Sequence, residues 1–138
     1  MKELIEILKT QLNTIEGIQD VYMYRDAQPN RYPSIICNWE SSSNTFETNE
    51  ENMRVATFRI YVLLNVAGKS PEDISEVMIP KLYDNLSAHF DENWNGNTIE
   101  GHRTWSVLSQ ADSGMAIEDK SKLAYLDCIL EIKYLKDN

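Results

Sequence analysis

The strongest hydrophobic pattern in the chain runs from Ala56 to Val66, where every even-numbered residue is apolar and the odd-numbered residues are mixed. A period of two with one apolar face is typical of a β-strand that packs one side against a core. The opposite side carries Arg59 but also Tyr61 and Leu63. Because this second face is only half polar, we expect another surface to cover part of it.

Four further segments have the alternation or the composition of strands. They are IQDVYMY, SIICNW, HRTWSVLSQ and KLAYLDCILEIKYL. In the last of them the apolar face runs from Ala124 to Tyr134, while Tyr125 and Asp127 face away. Three polar segments, DAQPNRYP, DENWNGN and ADSGMAIEDKS, are predicted to be turns or connecting loops.

A first amphipathic helix is predicted near the start of the chain. Its apolar positions recur at helical spacing from Leu4 to Ile15, with charged and polar residues between them. Gly17 follows the last of these positions and is a natural C-terminal cap, so the helix is expected to end there.

A second helix is predicted to begin after Ser70. Ser70 suits the N-cap, Pro71 suits the first helical position, and Asp73 stands where a capping box has an acid. The apolar stripe then runs from Ile74 to Phe90. Pro80 lies inside this stripe and lacks a backbone N–H, so we expect a kink or a break between two shorter helices.

The predicted element order is α-β-β-β-α-β-β within one domain, residues 1–138. This order favours the α+β class, with an antiparallel sheet covered by the two helices. A long polar arm, Glu40–Asn52, separates strands two and three; it is rich in carboxylates and holds one aromatic residue, Phe46. A loop of this length in a small domain is usually functional or disordered.

The charge balance restricts the possible partners. The net charge of −9 argues against sequence-independent binding of nucleic acid and against binding to an anionic membrane surface. Half of the 22 acidic residues lie in the polar arm and in residues 70–100. These acids form either an ordinary solvated surface or a surface past which DNA slides without sticking. No signal peptide or membrane span is predicted, and the default expectation is a soluble cytoplasmic protein.

A search for catalytic chemistry finds no motif. His89 and His102 are isolated, and a structural or surface role is expected for both. Cys37 and Cys128 each lie in an apolar run, which favours buried, reduced thiols over a disulfide or a catalytic nucleophile. The sequence has no metal-ligand spacing and no glycine-rich phosphate loop. We therefore predict a protein that is not an enzyme and has no metal or cofactor.

The length, the acidity, the element order and the polar arm together resemble the tail terminator proteins of long-tailed bacteriophages, also called tail-to-head joining or tail completion proteins. The resemblance spans LIEILKTQL, FRIYVLLNVAGKSPEDISEVMIPKLYDNL and AYLDCILEIKYL. The long apolar strand, the short connection AGKSPED and the amphipathic helix are the part most similar to the family. The family has no invariant catalytic or binding motif.

The resemblance implies a structural protein of virion assembly that forms a hexameric ring, caps the tail tube and joins it to the head connector proteins. DNA would pass through such a ring without being specifically bound. In this interpretation Phe46, Tyr61 and Leu63 contact the neighbouring subunit, and Glu47, Glu50 and Glu51 face the channel. The protein would assemble in the host cytoplasm and end in the virion tail or neck.

Two features have no place in the family pattern, namely Pro80 inside the second helix and the turn Trp94–Asn97 that follows it. Other functions also stay open. The chain could be a different neck or minor tail protein, a regulatory α+β domain that binds a small molecule, or an enzyme without a known motif.

Overall fold

The described residues form six strands, which belong to one sheet, and two helical segments. The structure is a computed structural model, and it describes residues 1–46, 51–99, 101–115 and 122–137. In chain order the elements are α1 (Lys2–Leu12), β1 (Asp20–Tyr22), β2 (Ser34–Phe46), β3 (Glu51–Asn65), α2 (Pro71–Asp73), a π-helical turn (Ile74–Met78), α3 (Ile79–Asn93), β4 (Asn97–Ile99), β5 (His102–Met115) and β6 (Leu123–Asp137). The α+β class is confirmed. The order differs from the prediction by one additional strand, β4.

The sheet is mixed, and its strand order is β1-β2-β3-β6-β5-β4. The long strands β2, β3, β6 and β5 pair in antiparallel fashion, and β4 adds to β5 in the same way. β1 pairs with β2 in parallel, with Val21 opposite Ile35. The expectation of a purely antiparallel sheet is therefore wrong at this edge.

One hydrophobic core lies on a single face of the sheet. The even-numbered residues from Ala56 to Val66 are all buried, as the alternation predicts. They share a cluster with the even-numbered residues of β6 and with helix side chains such as Leu8, Leu86 and Phe90. Each strand turns alternate side chains to opposite faces, so the odd-numbered residues lie on the other side.

The second helix begins as predicted. The Ser70 side chain accepts a hydrogen bond from the Asp73 N–H at 3.1 Å, and Pro71 occupies the first helical position. The helical segment does not break at Pro80. A π-helical turn precedes it, in which the Ile79 N–H donates to the Ile74 carbonyl, five residues earlier. The missing N–H of a proline disturbs the ladder of hydrogen bonds, and here the disturbance takes the form of a wider turn.

The described residues of the polar arm are in strands, although a loop was predicted for the arm. β2 continues to Phe46 and β3 begins at Glu51, so residues 41–46 pair with residues 52–57. The other edge of this part of β3 pairs with β6, where Asn52 stands opposite Lys136. The alternation of apolar residues is absent because Ser41, Ser42 and Ser43 are all exposed. The described residues of the arm therefore extend two paired strands of the sheet.

Three boundaries also differ from the prediction. α1 ends at Leu12, and Gly17 lies in the following turn with φ of +88°. Residues 111–115 belong to β5, although a loop was predicted there. The segment DENWNGN is not a simple turn, because Trp94 is fully buried and β4 starts at Asn97.

Candidate subunit interface

The face of the sheet opposite the core is the candidate site, and we call it the outer face. Strand alternation and register bring together on it Val55, Arg59, Tyr61 and Leu63 of β3, Tyr125, Asp127 and Ile129 of β6, Val107 and Asp112 of β5, Tyr22 of β1 and Ile36 of β2. None of them belongs to the hydrophobic core cluster. In the described part of the chain, the helices contribute to the core on the opposite side.

Two tyrosines stack at the centre of the outer face. The rings of Tyr61 and Tyr125 lie 5.2 Å apart with an angle of 20° between their planes. The Tyr125 hydroxyl donates a hydrogen bond to Asp112 Oδ2 at 2.9 Å, and this bond raises the pKa of Tyr125. Partial burial raises the pKa of Tyr61. The stack thus holds two flat apolar surfaces in a fixed orientation.

An ion pair lies beside the stack. Arg59 donates from Nε to Asp127 Oδ1 at 3.0 Å and from a terminal nitrogen to Asp127 Oδ2 at 2.8 Å. This bidentate bond raises the pKa of Arg59. The two charges neutralise each other within the subunit, so covering this part of the face does not bury an unpaired charge.

Apolar side chains surround these polar groups. Leu63 and Ile129 are half-buried, and Val107 is 53% exposed although it lies in the middle of a strand. Ile36 is buried on this face without joining the core. Contiguous apolar surface with paired polar groups is typical of protein interaction sites in soluble proteins.

The structure separates the predicted interface residues into two groups. Tyr61 and Leu63 lie on the outer face, where Leu63 stands opposite Tyr125. The backbone of Phe46 lies ten residues along β2 from Ile36, the partner of Tyr61, which is about 30 Å for an extended strand. The side chains of Phe46 and Glu51 lie outside the described part of the structure, and so do residues Glu47 and Glu50 entirely.

The sequence alone did not reveal which side chains contact Tyr61 and Arg59. Tyr125 and Asp127 were placed away from the core by their alternation within β6. Their contacts with Tyr61 and Arg59 depend on the register between β3 and β6, in which Tyr61 stands opposite Asp127. The only available signal was a pair of complementary charges on two predicted strands, and such a pair fits several registers.

Among the described residues, the other titratable side chains do not form a second site. His89 is half-buried, its Nε2 has no hydrogen-bond partner among the described residues, and burial lowers its pKa. Cys37 and Cys128 are free and buried. Burial raises the pKa of both thiols, that of Cys128 to about 12. Among the described residues, no three His, Cys, Asp or Glu side chains group as metal ligands.

None of the helices in the described residues is long and apolar enough to cross a membrane.

Comparison with known proteins gives a similarity of fold. No family model matches the sequence, and no curated protein matches it. Among solved structures, the chain is similar to a protein from the virion of the native gene transfer agent (GTA) particle, with a TM-score of 0.50. The similarity covers 94% of this chain and 84% of the other, at 14% sequence identity. The chain therefore shares its fold with a component of a GTA virion.

Proposed function

We propose that this protein is a structural component of a phage-type virion and that it acts as a tail terminator. Two independent lines support the proposal. The sequence resembles that family over nearly its whole length, and the fold is similar to that of a GTA virion component. The fold similarity favours a virion assembly role, and the sequence resemblance favours the terminator among such roles.

The outer face is the observation that carries the proposal. It joins stacked aromatic rings, an internally neutralised ion pair and exposed aliphatic side chains such as Val107 on one surface. The charges of Arg59 and Asp127 are already paired with each other, so covering this pair leaves neither charge without a partner. We assign the outer face to contact with a neighbouring copy of the same chain.

The mechanism is assembly, with no bond made or broken. In a closed ring each subunit uses one surface to contact a different surface of the next, and a rotation of suitable size closes a hexamer. The ring ends the growth of the tail tube and offers its free side to the head connector proteins. Assembly takes place in the host cytoplasm, and the ring then remains in the virion tail or neck.

The acidic surface has a role in this mechanism. A net charge of −9 per subunit repels DNA phosphates, so DNA can move through the ring without being held. We assign Glu47, Glu50 and Glu51 to the channel. We assign Phe46 to a contact with the neighbouring subunit, since aromatic residues often anchor interfaces.

Size-exclusion chromatography with light scattering tests this function. The wild-type protein should have the mass of about six chains, as expected for a closed ring. Leu63→Asp places a charge in the half-buried centre of the outer face and should give folded protein of lower mass. Val77→Asp is the matched control, because Val77 is 54% exposed on the helical side, and it should leave the mass unchanged.

A tail completion assay separates the terminator from other neck or minor tail proteins. Rings of the wild-type protein should stop the elongation of purified tail tubes and allow heads to join, whereas Leu63→Asp should do neither. A wild-type protein that stays monomeric at high concentration, or rings that leave tube elongation unchanged, would contradict the terminator role.

A further inference from the structure

A small cavity lies on the helical side of the sheet, where the start of α1 meets the end of α3. Its volume is about 60 Å³, which is enough for a few water molecules or one small chemical group. One part of its lining is apolar and comes from Met1, Leu4, Ile7 and Ile99. The polar part of the lining includes Glu3, Arg54, Trp94, Thr104, His102 and Tyr134.

Two residues of this lining carry a buried hydrogen-bond donor. Arg54 Nε and Trp94 Nε1 are both buried, and neither has a hydrogen-bond partner among the described residues. The Trp94 side chain is fully buried. Buried donors are nearly always paired in folded proteins, because an unpaired donor has lost its hydrogen bond to water. Both residues line the same cavity, which indicates that an acceptor is missing in this region.

The described residues do not supply that acceptor. Arg54 takes part in neither of the two ion pairs found among them. Glu3 also lines the cavity, but its side chain is exposed and forms no ion pair with Arg54 in the described structure. The lining also includes the start of α1, which has no side-chain cap. A helix start carries unpaired N–H groups and partial positive charge.

We infer that this cavity binds a carboxylate carried on a short apolar stem. The guanidinium of Arg54 and the indole N–H of Trp94 donate to the two carboxylate oxygens, and the stem lies against Leu4, Ile7 and Ile99. The inference depends on the cavity alone and not on the ring.

The charge of the surroundings favours a carboxylate over a phosphate. Glu3 lies in the lining, and the chain has a net charge of −9. A doubly charged phosphate is repelled more strongly by these groups than a singly charged carboxylate is. A neutral amide would leave the charge of Arg54 without a partner, so it should bind more weakly.

The carboxylate has two possible sources, a free small acid or an acidic side chain of another protein. Both donor atoms are shielded from solvent, so the ligand must displace part of the lining. The long, flexible side chain of Met1 can move most easily. Butyrate represents the free acid, and the N-acetyl N-methylamide of glutamic acid represents a side chain on a backbone.

Nuclear magnetic resonance of the indole N–H groups tests the inference. The protein has three tryptophans, and Trp94→Phe identifies the signal of Trp94. Butyrate should shift that signal in a saturable way and leave those of Trp39 and Trp105 in place. Butyramide has the same shape without the charge and should give no saturable shift. Arg54→Met should weaken butyrate binding at least about tenfold, since it removes a charged hydrogen bond.

Arg103→Met is the matched control, because Arg103 lies over the ring of Trp105 and not in the cavity. It should bind butyrate like the wild type. If Arg54→Met does not fold, the thermal shift of Trp94→Phe serves instead: butyrate should raise the melting temperature of the wild type and not that of the variant.

The outcomes separate the sources and the alternatives. Binding of butyrate alone assigns the cavity to a free acid, and binding of both probes assigns it to a side chain of a partner protein. The inference is overturned if neither probe binds at high millimolar concentration, or if butyramide binds as well as butyrate. Inorganic phosphate that binds more tightly than butyrate would also overturn it.

Discussion

The two faces of β3 belong to the same strand but differ in how deeply the rest of the chain buries their side chains. On one face the even-numbered residues from Ala56 to Val66 share a core cluster with helix side chains and are almost completely buried. On the other, Tyr61 and Leu63 are only half-buried, and their contacts come from side chains of neighbouring strands. Side chains of the same chain thus bury the first face. On the other face Arg59 and Asp127 are paired with each other and apolar surface stays accessible, as expected of a face that another subunit covers.

The largest effect should come from placing a charge on the buried face. Ile60→Asp puts a carboxylate at a fully buried position in the hydrophobic core cluster. It should cost about 4 kcal/mol or more and unfold the domain. Thermal melting monitored by circular dichroism measures this loss.

Arg59→Asp is the companion variant on the outer face. It breaks the ion pair with Asp127 and sets two carboxylates side by side, but Arg59 is 36% exposed. Its cost should be about 1 kcal/mol, so the domain should stay folded. Equal loss of stability in the two variants would show that the faces do not differ as described.

Shortening the hairpin should have a smaller effect on stability and a large effect on assembly. Replacing residues 45–53 with an Asn-Gly turn keeps Asn44 opposite Arg54 and removes the end of the hairpin. The end of β6 loses its neighbour, so the melting temperature should fall by about 5 °C or less. Rings should no longer form. A shortened protein that still forms rings and completes tails would show that the hairpin end has no part in assembly.

Phe46→Ala should reproduce part of that defect. If Phe46 anchors a contact between subunits, its truncation should shift the equilibrium from rings to smaller species without lowering the melting temperature. Light scattering across a dilution series measures this shift. Glu50→Gln and Glu51→Gln should leave ring formation intact and act only on the passage of DNA. Weaker assembly in the glutamine variants than in Phe46→Ala would reverse these roles.

The smallest expected effect concerns pH. Burial lowers the pKa of His89 in the folded protein below its usual value of 6.5, although the nearby Glu92 opposes this shift. The unfolded chain therefore takes up the proton more readily, and stability falls as the pH drops below about 6.5. His89→Gln should reduce the difference in unfolding free energy between neutral and mildly acidic pH by less than about 1 kcal/mol. A larger pH dependence in the variant would contradict the direction of the shift.

Local sequence patterns correctly predicted the elements whose structure depends mainly on residues close together in the chain. The alternation in β3 and β6, the apolar stripe of α1 and the Ser70 cap are of this kind. The polar arm was misread because a strand with two exposed faces has no alternation, and its pairing with β3 is a property of the whole sheet. For the same reason residues 111–115, which include Gly114 and a β-bulge after Gln110, gave no strand signal.

The candidate site was predictable only in part. Alternation placed Tyr61 and Leu63 on the face away from the core, and the structure has them there. Predicting the contacts of Tyr125 and Asp127 would require knowing the register of β3 and β6, which lie far apart in the sequence. Predicting the cavity beside Arg54 would require still more, because it joins the start of α1, the end of α3 and four strands. No local pattern in the sequence brings those segments together.

Hydroxyl-radical footprinting tests the central claim, that another copy of the chain covers the outer face. Wild-type protein in the assembled state is compared with the same protein diluted until it dissociates. Tyr61 and Tyr125 should react several-fold more slowly in the assembled state, whereas Tyr83, half-buried on the helical side and bonded to the Leu108 carbonyl, should react equally in both. Equal reactivity of Tyr61 and Tyr125 in the two states, or protection of Tyr83 instead, would contradict the account.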